Sequence, residues 1–357
     1  MVRRPYPTYQ DRAYPPTEAV WRALRELRAA PPGRAARGAR KEVFNAALEQ
    51  AEQLFTSAAG AGPASRPLLL FYGLSQAGRA INACASNVTH DSFPLTGHGI
   101  VIADNSMTRT DLGLVTVKDK LSSKGKESFV QVAAALGSRS LPESTRLTDL
   151  WSTIEEAERW PLATPAKSLL HLDWHLPNHR PGNTTLQAIV SGMPGSLAEI
   201  SDPQRREIEV RTWLSNYPTL GNYTFLRPGA IPDTGPESRN EREGTIGCWL
   251  TWALEEHDDA AREQVHRITP WNGRHLTNNS RVLHAQIGSD HRQLHPLLSW
   301  WAALFAMSML ARYQPDRWTA YINVNTSKDA VAVEFLLDTA LKAVPELILA
   351  SIDETTD

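Results

Sequence analysis

The sequence predicts a mixed α+β protein in which an antiparallel β-sheet is inserted into a helical core. Two sets of apolar residues at helical spacing frame the chain: Leu70, Leu74, Ala77, Ile81 and Cys84 near the start, and Leu297, Trp301, Leu304, Ser308 and Ala311 near the end. Between them lie runs rich in β-branched and aromatic residues, at 168–174, 184–190, 206–214 and 245–252, separated by Pro, Gly and Asn turns. No repeat of solenoid period is visible. With 357 residues, 41% of them apolar, the chain can bury more than one core.

In chain order, residues 1–60 read as a basic helical arm. Residues 1–41 carry ten Arg or Lys against three acids, so the arm is at +7 and the remainder at −9. Such asymmetry suits either nucleic acid or an acidic partner, or a segment folded onto the protein's own acidic surface. Trp21, Leu24 and Leu27 at i, i+3 and i+6 favour the folded reading. Glu42 opens a second helical stretch, to Ser57.

Residues 61–160 read as the first part of the helical core. Pro67 stands where a first-turn proline belongs, and its helix is expected to reach about Ala85. Tyr72, Gln76 and Arg79 at i, i+4 and i+7 share a second face of that helix, where they need partners or a cleft. Gly73, Ala77 and Ala80 keep a third strip small, shaped to receive Trp300, Trp301 and Phe305 of the late helix. Thr96-Gly97-His98-Gly99 is a turn feeding the short strand 100–102, 112–118 alternates like a second strand, and 127–136 and 147–158 read as helices. Residues 161–290 are assigned to the inserted sheet, with 233–244 an exposed loop. Residues 291–357 supply the closing helices: one from Pro296, apolar nearly all round and therefore buried, and one over 330–349.

Four groups carry candidate chemistry. Lys118, Lys120, Lys124 and Lys126 crowd around Ser122, Ser123 and Gly125 in a chain with few other lysines; ammonium and hydroxyl groups there suit phosphate oxygens, although a solvated loop has the same composition. His98, between two glycines, is a candidate acid/base or phosphate donor, or equally a histidine in a tight turn. Arg79, Gln76 and Arg312 lie on helices that look buried, so each guanidinium needs a ligand-facing cleft or an internal ion pair with Glu127, Asp149 or Asp316. His171, Asp173 and His175, with His179 beyond, fall on one side of a strand, where they could ligate a metal or line a polar sheet face. No Ser-His-Asp elbow, HExxH or GxGxxG is present, and Cys84 and Cys248 form neither a disulfide framework nor a metal clip. No cofactor is expected.

The segments 71–80, 97–99 and 310–318 together resemble the signature of the YaaC-like bacterial proteins, a family whose name implies no settled activity. A second resemblance, carried by Tyr72, Gln76 and Arg79, is to HEPN-type helical domains, many of them metal-independent ribonucleases of toxin, CRISPR and antiphage systems. It implies a HEPN-like bundle and dimeric action on RNA. The HEPN signature of Arg followed four to six residues later by His on a late helix is missing, because no His follows Arg312 or Arg317.

These readings converge on a cytoplasmic YaaC-like protein that binds or acts on RNA or a nucleotide, in a bacterial defence or stress system. Arg79 and His98 are the candidate catalytic groups, and Gln76, Lys118, Lys120, Lys124, Lys126 and Arg312 the binding groups. The alternative is a non-enzymatic subunit that holds a protein partner, or a second copy of itself, through its sheet and basic arm; the eleven tryptophans suit an interface as well as a core. No apolar run is long enough to span a bilayer.

Overall fold

A computed structural model of the chain describes residues 15–89, 93–121, 125–175, 184–226, 245–255, 259–271 and 280–356. The expected loop at 233–244, together with Lys124 and His179, lies outside the described residues.

Helix α1 (Thr17–Ala29) and helix α2 (Gly38–Ala59) precede α3 (Arg66–Cys84). Strands β1 (Ile100–Ile102), β2 (Thr116–Asp119) and β3 (Thr145–Arg146) form a small antiparallel sheet, interrupted by helix α4 (Ser128–Ala135) and followed by α5 (Leu147–Trp151). Strands β4 (Leu170–His175) and β5 (Thr185–Pro194), helix α6 (Pro203–Leu214), strands β6 (Thr224–Phe225) and β7 (Thr245–Ala253), helix α7 (Ala260–Ile268) and strand β8 (Ser280–Leu283) make up the middle of the chain. Helices α8 (Pro296–Tyr313), α9 (Pro315–Tyr321) and α10 (Ala330–Thr356) close it.

The protein is therefore mixed helix and sheet, with two apolar cores. In the first, α3 is the central helix: α2, α8 and α10 all pack on it. The small residues of α3 decide how closely they approach, though not as the strip of Gly73, Ala77 and Ala80 suggested. A Cβ on Gly73 would stand 2.7 Å from the Phe55 ring of α2. Trp301 of α8 lies instead over Gly78, where a Cβ would meet its ring at 2.2 Å. Close packing of α3 on α8, across more than two hundred residues of sequence, thus rests on Gly78.

The second core lies on one face of an antiparallel sheet ordered β6-β7-β5-β4-β8. Leu172, Trp174, Val190, Leu250 and Trp252 point to that face and meet Val210 and Leu214 of α6. The register sets Trp174 opposite Ala188 and Asp173 opposite Ile189. Gly192 sits at a bulge with φ of +105°, and a Cβ there would meet the Leu169 carbonyl at 2.5 Å.

Three expectations need correction. Residues 206–214 are helical, not a strand: Asp202 caps the Gln204 N–H at 2.9 Å, Pro203 takes the first turn, and Val210 and Leu214 bury one side. The stretch 112–118 begins with a 3-10 turn at Leu112–Leu114 and becomes strand only at Thr116. The helix expected over 147–158 stops at Trp151, with a separate 3-10 turn at Glu155–Arg159.

The two cores are tied by polar contacts. Arg139, 1% exposed, donates to the carbonyls of Ile287 and of Asp290, the latter at 2.8 Å, in the segment leading from β8 to α8. In that segment His284 is fully engaged: its Nε2 accepts from the Leu294 N–H at 2.8 Å, its Nδ1 donates to the Ala285 carbonyl at 2.8 Å, and its backbone pairs with Gln293.

Candidate functional site

The local geometry begins with the turn at Gly97-His98-Gly99. Both glycines have φ near +70°, a region that side chains bearing a Cβ rarely adopt. Gly99 is constrained twice, since a Cβ there would also meet the Glu127 side chain at 2.8 Å and the Phe129 nitrogen at 2.9 Å. The turn's carbonyls are all held: Ser128 Oγ donates to Gly97, the Phe129 N–H to His98 and the Lys120 N–H to Gly99. What remains free to act is the His98 ring, which packs edge-on against Phe71 at 5.3 Å and Tyr72 at 6.1 Å between centroids.

Arg312, at the end of α8, donates to the Tyr72 hydroxyl at 2.9 Å and lies 5.0 Å from the centre of the Tyr313 ring. Arg79 donates to the Leu95 carbonyl at 3.1 Å. Among the described residues neither arginine has the expected ion pair; Asp149, one of the carboxylates considered, pairs with Arg146 at 2.8 Å instead. Burial pushes the His98 pKa down, and the positive charges of Arg79 and Arg312 push it further. The ring is consequently neutral at neutral pH, able to accept a proton or to offer a hydrogen bond in either direction.

These groups border a cavity of about 620 Å³ between α3, α8 and the β1–β2 edge. His98, Lys120 and Arg312 line it, with Tyr72 and Glu127, over an apolar floor that includes Phe71, Met107, Phe305 and Met309. Other expected site residues are elsewhere. Arg79 and Gln76 do not line the cavity, and Arg79 acts on it only through its charge. Lys118 faces outward from β2 opposite Val101, and Lys126 contributes its backbone carbonyl to Thr96 rather than its side chain to the cavity. Sequence reasoning did not single out Met107, Phe305 and Met309 as cavity residues, because an apolar residue lining a cavity and one filling a core look the same in sequence.

The other candidate groups are used structurally where they are described. In the basic arm, Trp21 and Leu24 are buried against the rest of the helical core. Arg28 pairs with Glu49 at 2.9 Å, Arg25 with Glu18 and Glu52, and Arg40 donates to carbonyls at Ala83, Val88 and Thr89. On the sheet, His171 meets Glu158 at 3.1 Å and His175 packs on Trp249 at 4.5 Å. Among the described residues no group of three or more His, Cys, Asp or Glu side chains is placed to hold a metal ion, and no helix is long and apolar enough to cross a membrane.

No curated protein and no solved structure matches the chain. A family model, described as YaaC-like Protein, matches residues 17–352, from α1 into α10 and across both cores. That match covers nearly the whole sequence, and the chain belongs to the YaaC-like family.

Proposed function

We propose that this protein binds a nucleotide in the cavity between α3 and α8, with phosphate at Arg312 and Lys120 and the base and sugar over the apolar floor. The observation that carries the reading is the convergence of two cationic side chains, neither ion-paired among the described residues, and a neutral histidine on one apolar cavity. A volume of about 620 Å³ is ample for a mononucleotide. Arginine supplies paired donors to phosphate oxygens, lysine a mobile charge at the mouth, and the aromatic walls a surface for a planar ring.

The HEPN-like reading of the helical core belongs to this proposal. It is supported by Tyr72, Gln76 and Arg79 on one half-exposed face of α3 and by an arginine of a late helix reaching Tyr72. Here the histidine comes from a turn rather than following that arginine, which favours binding over strand cleavage as the site's first activity. The same proposal takes the protein's work to be cytoplasmic and its role to be a nucleotide-responsive one in defence or stress.

Calorimetric titration with mononucleotides tests this directly, with a short oligoribonucleotide as competitor. Arg312→Ala is expected to weaken nucleotide binding about tenfold or more, since a hydrogen bond to a charged group contributes roughly 1.5–3 kcal/mol. Binding of neither nucleotide nor oligoribonucleotide at millimolar concentration would remove the reading. Competition by the oligoribonucleotide at equal nucleotide concentration would extend it to RNA.

A further inference from the structure

The hydrogen bond from Arg312 to Tyr72 has a fixed direction. A guanidinium donates and cannot accept, so in the 2.9 Å contact between Arg312 Nη1 and the Tyr72 hydroxyl the phenol oxygen is the acceptor. The phenol's own proton therefore points elsewhere, and among the described residues no acceptor takes it. Both side chains line the cavity, and the bond between them lies at its exposed edge. The Tyr72 ring is held against Phe71 at 5.3 Å and His98 at 6.1 Å between centroids. Arg312 is held by this bond and by the Tyr313 ring, and the rest of its N–H fork is unpaired among the described residues.

Resting on the nucleotide reading above, we infer that Tyr72 is a phosphate-binding residue and that, with Arg312, it reads a terminal phosphate, so that the ligand is a nucleoside monophosphate with an open phosphomonoester rather than a phosphodiester. In the free protein the Tyr72 proton is turned to solvent; a ligand that covers the hydroxyl must accept that proton or forfeit a hydrogen bond. The bond to Arg312 sets the phenol O–H and the guanidinium N–H groups side by side, where they suit neighbouring oxygens of one phosphate. Donation by the cation also polarises the phenol and strengthens its O–H as a donor. Lys120, on the same cavity, supplies a third donor. A phosphomonoester offers three non-bridging oxygens to these three groups. A diester offers two, and leaves one donor unmatched.

The wild-type protein tests the ligand class without any substitution. AMP, GMP, CMP and UMP are each titrated beside their own 3′,5′-cyclic form, which keeps the base and ring-closes the phosphate into a diester. For whichever of the four bind, the open form is expected to bind about tenfold or more tightly, as the loss of a hydrogen bond to a charged group requires. Tyr72→Phe keeps the ring and every charge and removes the O–H. It should weaken the open form and leave the cyclic form nearly unchanged, narrowing the gap to less than about threefold. Equal or tighter binding of the cyclic forms by wild-type protein overturns the terminal-phosphate inference and leaves the nucleotide reading standing. Binding of neither form of any of the four overturns both. A gap that persists in a folded Tyr72→Phe protein, checked by an unchanged melting transition, overturns the role of Tyr72.

Discussion

The helical core and the sheet unit both bury tryptophans and both carry histidines, yet they use them differently. In the helical core Trp301 is completely buried against Gly78, and His98 borders a cavity while the charges of Arg79 and Arg312 act on its ring. In the sheet unit Trp174 and Trp252 pack on each other at 5.3 Å, and the polar side of β4 gives each histidine a protein partner. The difference teaches where to look for function. A titratable group whose needs are met by its own fold is structure, and one held in place by backbone while its side chain borders a cavity is a site.

The contrast is broken most severely by removing the contact that brings α3 and α8 together. Trp301→Ala should destabilise the helical core by about 3–5 kcal/mol, as truncations of large buried aromatics do, and should abolish nucleotide binding because Phe305 and Arg312 ride on the same helix. Chemical denaturation followed by fluorescence reads the stability loss. A cost under about 1 kcal/mol would mean that the two helices do not depend on this packing. Gly78→Ala approaches the same interface from the other side. The helix propensity gained, about 1 kcal/mol, should be outweighed by overpacking, typically 1–3 kcal/mol, so a small net loss is expected.

The junction between the units should respond to pH. Burial lowers the His284 pKa from 6.5 to about 4, so the folded protein holds this ring neutral. Between those values the unfolded chain binds the proton and the folded one does not, so stability rises with pH across this window. The contribution is complete above about pH 6.5 and is lost as pH falls towards 4, a loss of about 3 kcal/mol. Denaturation curves at pH 7.5 and 4.5 measure it. His284→Asn should be less stable at pH 7.5, because the Leu294 N–H loses its acceptor, but should show a shallower decline. An equal decline in wild type and variant would assign the acid sensitivity elsewhere.

His98 sharpens the comparison within the cavity. Its pKa is lowered by burial and by two arginines, and a bound phosphate would offset those positive charges and raise it again. Linkage then requires nucleotide affinity to increase as pH falls below about 6.5. His98→Ala should flatten that profile while leaving most of the affinity at pH 8. A pH-independent affinity in the wild-type protein would separate His98 from the ligand's phosphate.

How much of this was legible in the sequence follows the same division. The periodicity of Leu70, Leu74, Ala77, Ile81 and Cys84 gave α3 its buried face correctly, because helical spacing is a direct record of which side is covered; all five are fully buried. The Gly-His-Gly turn was visible as a turn, but not that Gly99 is needed for the approach of Phe129, a contact from thirty residues away. The run at 206–214 misled because its β-branched and aromatic residues suggested a strand, while the Asp202-Pro203 start signal just outside it announced a helix. Of the lysines, only the fold could show that Lys120 turns to the cavity while Lys118 faces solvent. Glu127 was legible only as a partner for an arginine, since sequence does not reveal which side of a helix start meets a cavity.

The smallest expected effect concerns the polar face of the sheet, where the pattern of His171, Asp173 and His175 resembles a metal-binding strand. The geometry engages two of the three otherwise: His171 lies against the Glu158 carboxylate and His175 against the Trp249 ring. Both contacts are local, and His175 is exposed, so its packing on Trp249 should contribute no more than about 0.5–1 kcal/mol. His175→Ala is therefore expected to lower stability by that amount at most and to leave nucleotide binding unchanged, because no residue of β4 lines the cavity. Zinc added to wild-type protein should leave the melting temperature where it was, since a bound metal would raise it in proportion to its occupancy. A zinc-dependent rise that His175→Ala removes would show this strand to be a site after all, and the rule separating satisfied histidines from functional ones would fail at the place where the sequence most strongly suggested it.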